Sequence, residues 1–138
     1  GTKCGALFGE AVVFPKRNTV PHFFSIVKQH GALLAKSRIA GLQFDTLFTN
    51  QLYEKGGETA ILAADRIRSA LREKDYPLAY DAPTNQIFLA LDEAQKTRLS
   101  KEVEMGFWEN LADGRTVMRI ATSWATQDED VDRLIALL

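Results

Sequence analysis

Cysteine is nearly absent from this chain: Cys4 is the only one in 138 residues. No internal disulfide can form, which fits a reducing, cytoplasmic setting. Histidine is scarce as well. His22 and His30 stand too far apart on a helical stretch for the adjacent-turn pairing of a zinc helix, and no cysteine or carboxylate cluster joins them, so no metal site is expected. Long apolar runs are missing. None approaches the roughly 20 residues a membrane span requires, and the start lacks the charged-then-apolar order of a secretory signal. Nor is there an excess of one charge: 17 Lys and Arg against 18 Asp and Glu leave a net charge of -1. Without the basic stripe needed for counterion release, nucleic acid is not an expected partner. What remains is an ordinary globular composition, 46% hydrophobic and 25% charged, enough for one modest core.

Periodicity divides the chain. Ala11 to Phe14 is a short apolar, β-branched run closed by Pro15, which suits a strand buried in a larger sheet. Pro21 fits a first helical turn, and a helix through Phe23, Phe24, Ile26 and Val27 should bend or end at Gly31. From Ala32, Leu33, Ser37, Ala40, Phe44, Leu47, Phe48 and Leu52 recur with helical spacing, predicting one long helix stopped by Gly56 and Gly57. A second amphipathic helix runs from Glu58 to Lys74, with Ala60, Ala63, Ala64, Ile67 and Leu71 inward and Asp65, Arg66, Arg68 and Arg72 toward water.

Beyond Asp75 the pattern shortens. Strands are expected at Leu78 to Tyr80, Gln86 to Leu91, Phe107 to Glu109 and Thr116 to Ser123. Asp92 with Gln95 should cap an intervening helix, and Thr126 with Glu129 the last one, whose apolar stripe is Val131, Leu134, Ile135 and Leu138. The order of elements predicts a small α+β unit, a mainly antiparallel sheet with helices on one face.

Few residues invite chemistry. Lys3 sits among small residues, where a tight turn ahead of an apolar strand could present its amine to a carbonyl group. Burial there would favour the neutral, nucleophilic form that Schiff-base chemistry needs. By pattern alone it also reads as a solvated surface charge. Arg119 lies on an alternating strand, with Val117 and Ala121 on its face and Met118 and Ile120 on the other. A guanidinium binds a carboxylate through two parallel hydrogen bonds, although strand arginines often only face water. Cys4 reads as a small buried residue, and Asn85 as a structural Asx-type residue.

Gly1-Thr2-Lys3 followed by Gly9-Glu10-Ala11-Val12-Val13-Phe14 resembles the cofactor-lysine segment of the pyridoxal-phosphate threonine aldolases, within the broader β-eliminating lyase family. Gln29 to Arg38, Thr84 to Phe88 and Val117 to Trp124 resemble later segments of that family in the same order. The resemblance implies the end of a fold-type-I α/β architecture. It divides the chain into 1–31, the end of the large cofactor-binding domain, 32–75, linker helices, and 76–138, the small α+β domain. The phosphate loop, the aspartate on the pyridine nitrogen and the ring-stacking residue would lie upstream, and the isolated chain would be inactive.

On this likeness Lys3 holds pyridoxal phosphate, Arg119 clamps the substrate α-carboxylate, and Arg38 and Lys28 lie near the cofactor phosphate. The implied reaction is retro-aldol cleavage of a β-hydroxy-α-amino acid such as L-threonine to glycine and an aldehyde, in a homodimer or homotetramer. β-Elimination or transamination on the same scaffold stays open, as does a non-catalytic α+β module that binds a ligand or partner.

Overall fold

Three α-helices come before the first strand, α1 (Phe23–Gln29), α2 (Arg38–Phe48) and α3 (Leu52–Glu73), with a 3-10 turn at Thr49–Gln51. A computed structural model describes residues 1–138 and divides them into two units, Gly1–Glu54 and Lys55–Leu138.

In the first unit, α1 ends as glycine dictates. Gly31 takes φ 67°, its N–H donates to Lys28 O at 3.0 Å, and Ala32 N–H reaches back to Val27 O at 3.0 Å. That pair of bonds is a Schellman cap, which satisfies carbonyls the helix would otherwise leave free. Pro21 lies before the helix rather than in its first turn, and His22 at φ 59° occupies the N-cap.

The long helix expected from Ala32 to Leu52 does not form as one piece. Residues 32–34 are irregular, α2 starts at Arg38, and the break falls at Asn50 and Gln51, with φ of 54° and 58°. Asparagine tolerates this left-handed conformation better than most residues. Gly56 and Gly57, expected as the stop, lie inside α3. Their cost of about 1 kcal/mol each relative to alanine does not outweigh the packing of the following turns. Ala11–Phe14, expected as a buried strand, pairs with nothing in this chain, and Val12 and Val13 are exposed. A lone extended segment has no ladder to satisfy its backbone.

The second unit carries the core. Its strands are β1 (Leu78–Tyr80), β2 (Gln86–Leu91), β3 (Gly106–Asn110) and β4 (Thr116–Ala121), and its further helices are α4 (Glu93–Leu99) and α5 (Asp128–Leu137). They form one antiparallel four-stranded sheet in the order β1-β2-β4-β3. Ile87, Leu89, Leu91 and Met118 from one face of the sheet meet Ala64, Ile67 and Leu71 of α3, Leu99 of α4, and Val131 and Leu134 of α5. Full burial of each large aliphatic side chain contributes about 1.5–3 kcal/mol. Helices on one face of an antiparallel sheet make this an α+β unit, as the periodicity implies.

Of the two expected helix caps, one forms. Asp92 and Gln95 do form a reciprocal capping box on α4. Thr126 does not cap α5, whose N-cap is Gln127 without a side-chain bond. The Thr126 hydroxyl instead accepts from Ser123 N–H at 2.8 Å, closing the turn that brings the chain from β4 to the helix. Arg68, expected in water, is buried at 6% exposure. It donates to Ala82 O at 3.1 Å, Thr84 O at 2.7 Å and Asp65 at 2.6 Å, tying the loop between β1 and β2 to α3. Asn85 is structural by a different bond from the expected one: its amide donates to Thr122 O at 2.6 Å.

Candidate active site

Lys3 stands in a turn built by its neighbours. Cys4 N–H and Ala6 N–H both donate to Gly1 O, at 3.0 and 3.1 Å. Gly5 takes φ 100°, a backbone conformation that favours glycine. Gln43 of α2 accepts from Leu7 N–H and donates to Phe8 O. This segment therefore packs on the helix that Arg38 opens.

The Lys3 side chain is exposed rather than packed against apolar neighbours. Cys4, expected to be buried, is also exposed. The Tyr53 phenol is pushed above its ordinary range, chiefly by hydrogen bonding with the Cys4 side chain. Lys28 on α1 and Arg38 are exposed, and neither has a carboxylate within ion-pair distance. By residue type, a primary amine and unpaired basic side chains are what an aldehyde carrying a phosphate asks for.

Arg119 belongs to the second unit, on the face of the sheet that carries no core helix. Phe88 is its direct partner across β2 and β4. An aromatic row runs beside it: Tyr80 and Phe88 meet edge to face with centroids 5.4 Å apart, and Phe88 and Trp108 at 5.0 Å. The Arg119 guanidinium carbon lies 5.7 Å from the Trp108 ring centroid, within cation–π range. Nη1 donates to Gln86 Oε1 at 3.3 Å. A Cβ added at Gly106 would come 3.6 Å from both Nε and Nη2, so glycine leaves this edge of the fork open.

A register shift between Phe107 and Glu109 lets Glu109 reach the same aromatic row as Trp108. Tyr80 donates its hydroxyl hydrogen to Glu109; that bond, with burial second, pushes the phenol above its usual range. Every other arginine of this unit has a carboxylate or backbone carbonyl partner. Arg119 has neither. A guanidinium so held keeps its full charge and a free pair of N–H groups, which is what bidentate carboxylate binding asks for.

Elsewhere, a groove of about 470 Å³ opens beside α5 and the end of β4, lined in part by Ile120, Thr122, Thr126 and Val131. It offers no comparable cation, since Arg133 there sits 3.8 Å from Glu102. No helix of the protein is long and apolar enough to cross a membrane.

The chain is similar to the threonine aldolase of Leishmania major, at 30% identity and a TM-score of 0.76, over 86% of this chain and 34% of that one. It shares the fold of the fold-type-I family of pyridoxal-phosphate-dependent enzymes. The region shared is the C-terminal part of that fold, and the chain spans about a third of the aldolase's length. A serine palmitoyltransferase of Sphingomonas wittichii (18% identity, TM-score 0.57, 72% of this chain and 26% of that one) and an 8-amino-7-oxononanoate synthase of Francisella tularensis (10%, 0.57, 83% and 35%) share the fold. No family model and no curated relative matches the sequence itself.

Within the family's fold, Lys3, Lys28 and Arg38 lie in the first unit and Arg119 in the second. Sequence reasoning assigned no role to Trp108 or Gln86. Gln86 carried a weak signal, sharing a strand with Phe88, but the pairing that sets it against Arg119 is tertiary.

Proposed function

We propose that this chain is part of a pyridoxal-phosphate-dependent lyase of the threonine aldolase type, which cleaves a β-hydroxy-α-amino acid such as L-threonine to glycine and an aldehyde. The observation that carries this reading is the likeness to the Leishmania major aldolase across 86% of the chain. When bound, pyridoxal phosphate supplies the electron sink that makes a bond to the amino acid's α-carbon breakable. Lys3 Nζ is the primary amine that holds its carbonyl carbon. Arg38 and Lys28 contribute positive charge toward the phosphate, where charge-assisted bonds are strong.

Arg119 receives the substrate α-carboxylate through the N–H groups that no protein carboxylate occupies. By fixing one end of the amino acid it orients the α-carbon, so binding energy distant from the breaking bond serves positioning. The first unit buries Ala6 but exposes Leu7, Val13 and Phe24; in the working enzyme, further parts of such a fold and a second subunit of a homodimer or homotetramer cover that apolar surface.

The test is covalent. Borohydride reduction of the enzyme with pyridoxal phosphate should attach the cofactor to Lys3, located by peptide mass mapping, and Lys3→Ala should abolish threonine cleavage while leaving the circular dichroism spectrum intact. Attachment at another lysine, or cleavage undiminished in Lys3→Ala, rejects the assignment.

A further inference from the structure

Among the arginines of the second unit, Arg119 is singular in what holds it. Arg66, Arg68, Arg72, Arg115 and Arg133 each lie within ion-pair distance of a carboxylate, and Arg98 donates to Leu137 O at 2.6 Å. Arg119 is placed by two neutral groups instead, the Trp108 indole at 5.7 Å and the Gln86 amide oxygen at 3.3 Å. Both are themselves fixed. Phe88 meets Trp108 edge to face at 5.0 Å, and Tyr80 braces Phe88 at 5.4 Å. Gln86 is half-buried and paired in register with Ala121 across β2 and β4.

A carboxylate in either place would hold the guanidinium more strongly, but it would also compete with an anionic ligand. An aromatic face and an amide orient the same group without cancelling its charge. We infer that Trp108 and Gln86 are positioning residues that present a charge-retaining Arg119 fork to the carboxylate of the amino-acid substrate. The inference rests on the clamp proposed for Arg119 and adds to it the two residues that make the clamp selective for an anion.

The sharpest test is Gln86→Glu in the active enzyme, because it is isosteric and replaces only the amide with a carboxylate. The new carboxylate should pair with Arg119 and raise KM for L-threonine about tenfold or more, with kcat changed less than about twofold and with cofactor content unchanged. Trp108→Leu should raise KM about 3- to 10-fold, Trp108→Phe should recover most of the loss, and the glycine dissociation constant from titration calorimetry should move with KM. In an Arg119→Ala background, Gln86→Glu and Trp108→Leu should each add less than about twofold, since the group they position is gone.

Three results overturn the inference. Unchanged KM and glycine affinity in Gln86→Glu, while Arg119→Ala alone loses about thirtyfold or more, would keep the clamp and reject the positioning pair. Equal losses with and without Arg119 would mean that these residues act on the substrate or the fold directly. An inert Arg119→Ala would remove the clamp and this inference together.

Discussion

Arg68 shows what a single buried donor does for this fold. Its guanidinium bonds two backbone carbonyls of the loop between β1 and β2 and the Asp65 carboxylate. Arg68→Ala strands those carbonyls and leaves a hole beneath the loop, so it should destabilise the protein by about 2–4 kcal/mol, measured as a shift in the denaturant midpoint. Arg68→Lys should recover only part, because an ammonium cannot reproduce a planar fork. The neighbouring Arg66 and Arg72 lie at the surface with exposed carboxylate partners; Arg66→Ala should cost less than about 1 kcal/mol. The same helix thus carries arginines of very different consequence, and their one-letter pattern does not tell them apart.

At the scale of elements, α3 is the clearest contest between local preference and packing. Two adjacent glycines lie near its start, yet the helix continues through them, because Ala60, Ala63, Ala64, Ile67 and Leu71 bury one face of the turns that follow. Neither glycine is required by space: a Cβ at Gly56 or Gly57 would meet nothing within 4 Å. Gly56→Ala and Gly57→Ala should therefore each stabilise the chain by about 0.4–1 kcal/mol, read from thermal or denaturant unfolding. A loss of stability in either would show that the glycine serves a contact absent from this chain. The strands were legible because hydrophobic alternation and the turn residues between them agree. The register shift in β3 was not, since a bulge depends on the facing strand as well as on its own residues.

The two units of the molecule differ in how much they bury. In Lys55–Leu138 the sheet and three helices enclose one apolar cluster, whereas the fully buried apolar side chains of Gly1–Glu54 reduce to Ala6. Regions with little burial open at low free-energy cost. Limited proteolysis of the 138-residue chain should cut within the first unit well before the second, and its amides should exchange faster by about an order of magnitude or more. Equal protection across both units would contradict this.

Local pattern was enough for the strands of the second unit, the capping box on α4, the inward stripe of α5 and the antiparallel α+β architecture. Each of these follows from short-range chemistry, a period of 2 or 3.6 residues or a cap of neighbouring side chains. The segments around Lys3 and Arg119 also marked those residues as candidates, whose roles belong to the proposed function. Tertiary structure alone decided that Arg68 is buried, that the helical break falls at Asn50 rather than at the glycines, and that Thr126 closes a turn instead of capping a helix. It alone brought Gln86 and Trp108 to Arg119. The physical reason is that a side chain's partners across a sheet are set by strand order and register, which join residues distant in sequence and leave no periodic trace along the chain.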